Sequence, residues 1–272
     1  MERILVGYDA GKGAEAALDW VIDRALRRDL RVEVVIVTNP FLQDRPRAEE
    51  QLAQAEQRLR TQIPGLAVET ARIDGTLARA LTDAAADSDL LVIGIDSDRP
   101  VREALHGWLS LRISAKSPVP TCIVPAGWSA KNGPVTLALA TDGSSERAEG
   151  FAAAEAAEWG ENLRVVHAWS VPITTSGSSA LATSRQQALM QHRDVIERSV
   201  ERIRHSSPGV TVEPVLIHDN AVAAVAAAAA DSSLVVMGTH GRGVLAGGVY
   251  GSVGQDLIGT VHTPIVVVPA AR

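Results

Sequence analysis

Cysteine is almost absent from this chain, and the single Cys122 excludes an internal disulfide framework. Cys122 lies in an apolar run, which favours a buried, unreactive thiol over a nucleophile and suits a reducing compartment. The seven histidines lack the spacing of metal ligands, and neither a C-x2-C nor an H-E-x-x-H motif is present. The sequence therefore predicts no disulfide and no metal site.

Long apolar runs, basic stripes and aromatic residues are also scarce. No segment reaches the ~18 consecutive apolar residues that a membrane span requires. The first residues, MERILVGYDAG, show a strand pattern instead of a signal-peptide core. The net charge of −6 comes without a basic surface for nucleic acid. We therefore expect a cytoplasmic protein that binds neither membranes nor nucleic acids.

An internal repeat is present within the 272 residues, a length that suits two domains. Residues 4–9, ILVGYD, match residues 137–142, LALATD, at an offset of 133. From Pro64-Gly65 and Pro208-Gly209 onward the offset is a constant 144. The difference between the two offsets is eleven residues, which we expect in a Ser/Thr-rich loop over 169–184 of the second copy.

Each copy shows strands and helices in alternation, which predicts the α/β class. We expect two tandem, doubly wound, parallel five-stranded sheets of the Rossmann-like kind, in domains 1–126 and 134–272 with a linker at 126–133. Each copy closes on an apolar strand, and an exposed edge of that kind favours pairing. We expect Thr121–Val124 and Ile265–Val268 to join the halves about a pseudo-two-fold axis, and we expect a homodimer of tandem chains.

A glycine-rich stretch in the second copy has the properties of an anion site. The apolar residues 234–237 predict a buried strand, six glycines follow between 238 and 251, and a helical pattern begins after Ser252. Glycines allow close backbone approach, and a helix start offers N–H donors and a partial positive charge. The alternative is that the glycines only form a flexible surface loop.

The spacing Gly238-x2-Gly241-x9-Gly251-Ser252 matches the nucleotide-binding signature of the universal stress protein family. The blocks MGTHGRG and TPIVVVP also resemble that family, and the resemblance covers essentially the whole chain as two tandem domains. It implies the universal stress protein fold, a role in the stress response, and ATP, with or without Mg²⁺, as the ligand.

The resemblance also implies residue roles around ATP. The triphosphate would contact, largely through backbone N–H groups, Gly238, Gly241, Gly251, Ser252 and Val253. Met237 and Gly238 would border the ribose and base, and Asp142 would meet the adenine edge. The remaining pocket residues would be Ala140, Thr141 and Ala168. Arg242 is our own addition as a nearby cation, although solvent exposure explains an arginine there equally well. Asp142 could also serve as a helix N-cap.

The first copy departs from the signature. Gly94 and Gly107 persist and, with Asp9, are the weaker candidates of this half. Ser97 stands at the position of Gly241, and Asp98-Arg99 stand at the positions of Arg242-Gly243. Trp108 stands at the position of Ser252. An indole is hard to place beside phosphate, and Asp96 and Asp98 repel an anion. We expect this half to bind triphosphate weakly or not at all.

No catalytic constellation supports an enzyme. The segment from Gly7 to Gly13 resembles a P-loop but has Gly13 where the Mg²⁺-binding Ser or Thr belongs, and no G-x-S-x-G elbow is present. The first hypothesis is an ATP-binding regulatory module read by an unidentified protein partner. The alternatives are a slow ATP-hydrolysing or nucleotide-transfer enzyme, at most a weak ATPase, and a structural stress protein without a ligand.

Overall fold

The computed structural model describes residues 1–38, 45–96, 109–141, 145–170, 178–239, 252–258 and 260–270. In the first half the strands are β1 (Glu2–Gly7), β2 (Leu30–Thr38), β3 (Ala67–Asp74), β4 (Leu90–Ile95) and β5 (Thr121–Pro125). The helices of this half are α1 (Lys12–Ala25), α2 (Arg45–Gln62), α3 (Leu77–Ala84) and α4 over 109–116, with a 3₁₀ turn at Ala85–Asp87.

The second half repeats this order of elements. Its strands are β6 (Val135–Ala138), β7 (Leu163–Trp169), β8 (Val212–His218), β9 (Leu234–Gly238) and β10 (Ile265–Val268). Its helices are α5 (Glu146–Trp159), α6 (Ser178–Ser206), α7 (Ala221–Ala229) and α8 (Ser252–Ile258). The α/β alternation that the sequence predicts is confirmed in both halves.

One ten-stranded sheet runs through both halves, in the order β3-β2-β1-β4-β5-β10-β9-β6-β7-β8. All pairs are parallel except β5 with β10, which are antiparallel with Ile123 opposite Ile265. The two predicted five-stranded sheets are thus the halves of one sheet, joined by the two closing strands as expected. An antiparallel pair of equivalent strands is the geometry that a pseudo-two-fold axis requires.

Helices cover both faces of the sheet. Successive residues of a strand point to opposite faces, and in these strands the residues on both faces are apolar and must be buried. On one face α1, α2, α5 and α6 pack over residues such as Ile4, Val6 and Leu137. On the other face α3, α4, α7 and α8 pack over residues such as Leu5 and Val235. The result is a three-layer structure with one apolar core on each side of the sheet.

The strand registers correct the predicted alignment of the copies. Ile4 pairs with Val32 and Leu90, and Val135 pairs with Leu163 and Leu234, so Ile4 is equivalent to Val135 at an offset of 131. The predicted offset of 133 is wrong, because it rested on matching two aspartates. If the strand offset of 131 is continued past β1, Asp9 falls at the position of Ala140, and Asp142 lies two residues farther along the chain.

The extra residues of the second copy mainly lengthen a helix. Helix α6 has 29 residues, whereas α2 has 18. At the offset of 144 the start of α2, Arg45, corresponds to Leu189, so residues 178–188 form an added N-terminal stretch of α6. The prediction that the insertion is a loop over 169–184 is wrong for the part from Ser178 onward.

The seam between the halves contains a buried ion pair. Arg24 of α1 donates from both terminal nitrogens to the carboxylate of Glu155 of α5, over 2.6 and 2.7 Å. Both side chains are 2% exposed, and Glu2 accepts two further bonds from Arg24. Cys122 lies on the same seam with a fully buried thiol whose pKa burial raises, as the sequence predicts for an inert cysteine.

The connection between the halves is packed in place. Lys131 donates to the Ala230 carbonyl and the Thr263 hydroxyl over 3.1 and 3.0 Å. A Cβ at Gly133 would lie 2.1 Å from the carbonyl oxygen of Asp231, so only glycine fits there. The predicted linker is therefore bonded to the second half. The domain limits 1–126 and 134–272 stay a prediction.

Candidate functional site

The crevice of the second half lies where β6 separates β9 from β7. Helix α5, which follows β6, packs on one face of the sheet, and helix α8, which follows β9, packs on the other. Neighbouring strands whose following helices go to opposite faces open a crevice at their carboxyl ends, and parallel sheets bind ligands there. The glycine-rich stretch that the sequence predicts to bind an anion begins at the end of β9, on this edge.

Register brings several predicted residues together at this edge. Ala138 pairs with Met237 on one side and with Val166 on the other, so three strands end side by side. The predicted residues that project from these ends are Ala140, Thr141, Ala168, Met237 and Gly238. The sequence predicts a helix that begins after Ser252; α8 begins at Ser252 itself, and Val253 follows it. The predicted residues outside the described residues are Gly107, Asp142, Gly241, Arg242 and Gly251.

A serine that the sequence analysis missed closes the turn after β6. The Ser145 hydroxyl accepts from the Ala140 N–H over 3.0 Å, and the Ser145 side chain is buried. Ser145 also precedes α5 as its N-cap residue, and its carbonyl accepts from the Glu149 N–H. The backbone at Ala140 is therefore held by the protein itself. A serine just before a helical pattern was the available signal.

The end of β9 is fixed by β10 and by α8. The Thr239 N–H donates to the Val268 carbonyl over 2.9 Å, and the Thr239 hydroxyl accepts from the Ala270 N–H over 3.0 Å. Gly254 of α8 lies against the half-buried Met237 side chain. The strand end and the helix after the glycine stretch therefore form one packed unit.

Two histidines that the sequence analysis did not connect form a hydrogen-bonded pair beside the crevice, in which His167 is buried and His192 is half-buried. The His167 Nδ1 lies 2.8 Å from the Leu139 carbonyl, and its Nε2 lies 2.9 Å from the His192 Nδ1. Burial lowers the pKa of His167, against the opposing effect of the Leu139 carbonyl, and burial also lowers the pKa of His192. Both rings are therefore neutral at neutral pH. Trp169 stacks against His192 and His218 at the same strand ends.

At the corresponding edge of the first half, the described residues after β1 and at the end of β4 make local contacts. The Asp9 carboxylate accepts from the Gly11 N–H over 2.8 Å, and Ala10 has a positive φ of 56°. A Cβ at Gly94 would lie 1.8 Å from the Gly13 carbonyl oxygen, so the first turn of α1 rests directly on the end of β4. Gly13, in the segment that resembles a P-loop, allows this contact.

A tyrosine also fills space next to this edge. Tyr8 follows β1, its ring is buried, and its hydroxyl bonds to Glu15, which in turn pairs with Arg58 of α2. Burial and the Glu15 carboxylate raise the pKa of Tyr8, so it stays a neutral phenol. Asp9, Gly94 and their neighbours are thus engaged in local packing.

The described residues contain neither a metal-binding cluster nor a membrane-spanning helix. In that part of the chain no group of three or more His, Cys, Asp or Glu side chains is placed to hold a metal ion. No helix within the same ranges is both long and apolar enough to cross a membrane.

Comparisons with known proteins match both halves. The model of the universal stress protein family matches residues 1–125 and again 134–269. Universal stress protein Rv2005c of Mycobacterium tuberculosis is 23% identical, over 97% of this chain and 96% of that protein. A universal stress protein of Mycolicibacterium smegmatis is 24% identical over the same shares.

A solved structure gives the same fold. The crystal structure of a universal stress protein from Archaeoglobus fulgidus matches 99% of this chain and 97% of its own, with a TM-score of 0.73 and 16% identity. The two matches of the family model together cover nearly the whole chain, and the two matched segments coincide with the two halves of the sheet. The chain belongs to the universal stress protein family and carries two tandem copies of its domain.

Proposed function

We propose that this chain binds ATP in the crevice of its second half and acts as a nucleotide-dependent regulatory module in the stress response. The observation that carries the proposal is the complete signature from Gly238 to Ser252. This stretch connects the end of β9 to the start of α8, next to the crevice between β6 and β9. A glycine-rich connection between a strand and a helix suits phosphate because its N–H groups can turn toward the anion.

The described residues at this edge suit an adenine nucleotide. Ala140, Ala168 and Gly238 place only small side chains at three adjacent strand ends, which leaves room for a planar base. Ser252 and Val253 open α8, and the triphosphate would meet this helix start together with Gly238, Gly241 and Gly251. Asp142 would meet the adenine edge, Thr141 and Met237 would border the pocket, and Arg242 would screen phosphate charge. Mg²⁺, when present, would neutralise part of the triphosphate charge.

Features of the first half support a stoichiometry of one nucleotide per chain. The first turn of α1 lies on the end of β4 through Gly13 and Gly94, and the Asp9 carboxylate is bonded to the Gly11 N–H. At the positions of Gly241 and Ser252, which we expect to face the phosphates, the first half has Ser97 and Trp108. We therefore propose that this half serves as a partner domain.

Binding of ATP to matched variants tests the proposal. Gly241→Val should weaken ATP binding by about tenfold or more, because the added branched side chain occupies the space of the phosphate, and tenfold corresponds to about 1.4 kcal/mol. Ser97→Val, the same position in the first half, is the control and should bind as the wild type does. Calorimetry should give a stoichiometry near one ATP per chain. A stoichiometry near two, or equal effects of the two variants, would contradict the proposal.

Turnover separates the regulatory module from the alternative enzyme. The absence of a catalytic constellation in the sequence favours the regulatory module. Nucleotide turnover is measured with and without Mg²⁺, and we expect little. Many turnovers per minute that Gly241→Val abolishes would instead favour an ATP-hydrolysing or nucleotide-transfer enzyme. A homodimer of tandem chains, a regulatory protein partner and a cytoplasmic location are part of the same proposal.

A further inference from the structure

Helix α4 of the first half packs directly on helix α8 of the second half. A Cβ at Gly254 of α8 would lie 3.3 Å from the Leu111 Cδ2 of α4, and 3.6 Å from the Met237 Cε of β9. Leu111 therefore rests on the backbone of α8, and the absence of a side chain at Gly254 permits this approach. Met237 completes the contact from the strand that leads into the signature.

The contact belongs to a continuous apolar core. Leu111 is 8% exposed, and the α8 residues Leu257 and Ile258 are 0% and 2% exposed. All three belong to one cluster with Ile123 and Ile265, the residues that face each other across the seam. A change at Leu111 therefore acts on α8 through packed side chains and not through water.

The two helices are equivalent elements of the two copies, but the contact is not symmetric. At the offset of 144, Gly254 corresponds to Ser110 and Leu111 corresponds to Gln255. The first half thus contributes an apolar side chain at a position where the second half has an amide, and the second half contributes the glycine that receives it. The asymmetry is consistent with a first half that supports the second.

Packing matters more for α8 than for a long helix. Seven residues of this helix lie in the described part of the chain, and isolated helices below about 12 residues are marginal in water, so the order of α8 depends on the contacts that cover it. A ligand that binds only the ordered helix has an apparent Kd equal to its intrinsic Kd divided by the fraction of molecules in which the helix is ordered.

We infer that Leu111 is a positioning residue for the nucleotide site of the opposite half: it holds α8 in place, and the first half thereby sets the ATP affinity of the second. This inference rests on the proposed function, which places the triphosphate at the start of α8. It gives the half without an intact signature a role other than binding.

Two leucine variants of the full chain test the inference. Leu111→Ala leaves a cavity over Gly254 and should weaken ATP binding by about fivefold, within the range that packing along a coupled network produces. Leu81→Ala is the matched control, because Leu81 is a buried leucine of the same face that touches Gly7 of the first half. Leu81→Ala should leave ATP affinity within about twofold of wild type. Hydrogen exchange of 252–258 without ATP should rise in Leu111→Ala and not in Leu81→Ala.

A second variant approaches the contact from the other side. Gly254→Ala places a methyl group 3.3 Å from the Leu111 Cδ2, which is tighter than normal packing, so Leu111 must shift; ATP binding should weaken, but by less than in Leu111→Ala because alanine favours the helix. In the double variant Leu111→Ala/Gly254→Ala the methyl group enters the space that the leucine leaves, so ATP binding should be closer to wild type than the product of the two single effects.

The outcomes separate the inference from the proposed function. A wild-type chain that binds no ATP overturns the proposed function and the inference with it. Wild-type binding together with equal affinities of Leu111→Ala and Leu81→Ala overturns the inference alone. Equal hydrogen exchange of 252–258 in those two variants overturns it as well.

Discussion

At the scale of single residues, the two halves fill one buried position with different chemistry. By strand register His167 occupies the place of Ile36, and by the offset of 144 His192 occupies the place of Ala48. Two side chains of one apolar cluster in the first half are thus replaced by a pair of hydrogen-bonded rings in the second. Buried imidazoles need partners, and His167 has two, His192 and the Leu139 carbonyl.

The pair predicts a pH-dependent stability. Burial lowers the pKa of both rings, so the unfolded chain takes up protons at a higher pH than the folded one. The two neutral rings therefore contribute fully to the free energy of unfolding above the ordinary histidine pKa of about 6.5. This contribution is lost as the pH falls toward the lowered pKa of the two histidines. The double variant His167→Ile/His192→Ala, which copies the first half, should lose less stability between about pH 7.5 and pH 5.5 than wild type.

Urea unfolding at these two pH values measures the difference. His205→Gln is the control, because His205 is an exposed residue near the end of α6; it should keep the wild-type pH dependence. The same pH dependence in the double variant and in wild type would show that other groups titrate.

At the scale of elements, close approach between backbones fixes the edge of the first half. The first turn of α1 crosses the end of β4 with no room for a side chain at Gly94. Gly150 of α5 has the opposite surroundings, since a Cβ there would meet nothing within 4 Å. The two glycines therefore allow one substitution to be compared in two environments.

Alanine at these glycines should change stability in opposite directions. Gly94→Ala should lower the free energy of unfolding by at least about 2 kcal/mol, because the methyl group overlaps the Gly13 carbonyl and α1 must move. Gly150→Ala should raise it by about 0.5 to 1 kcal/mol, because alanine favours the helix. Denaturant unfolding of both variants checks the signs. A neutral Gly94→Ala would mean that α1 does not lie on β4.

At the scale of the whole molecule, the seam makes the two halves one folding unit. Burial alone would lower the pKa of Arg24, but the hydrogen bonds and charge of Glu155 outweigh it and raise that pKa. The pair stays charged while nearly inaccessible to water, which is costly for either member alone. Residues 131 positions apart are thereby tied together.

Removal of one partner of the Arg24–Glu155 ion pair should therefore destabilise the protein strongly. Glu155→Gln should lower the free energy of unfolding by about 2 kcal/mol, because the buried Arg24 keeps its charge and retains Glu2 but loses the more deeply buried of its two carboxylate partners. Arg31→Ala, which breaks an exposed pair with Glu69, should cost less than about 1 kcal/mol. Denaturant unfolding compares the two variants. Similar losses would show that the Arg24 pair is as weak as a surface pair.

Local patterns in the sequence were sufficient for the repeat, the α/β class, the joining strands and the limits of the glycine stretch. Apolar runs identify buried strands wherever they lie, and the spacing of glycines before a helical pattern depends on no distant partner. Cys122 inside an apolar run is correctly expected to be buried for the same reason.

The tertiary structure alone decided which residues meet. The offset of 131, the added turns of α6, the His167–His192 pair and the contact of Leu111 with Gly254 all depend on partners far apart in the chain. Periodicity tells which face of an element is apolar, but it does not tell which side chain lies opposite. Register and helix packing supply that information, because they are set by the fit of whole elements against each other.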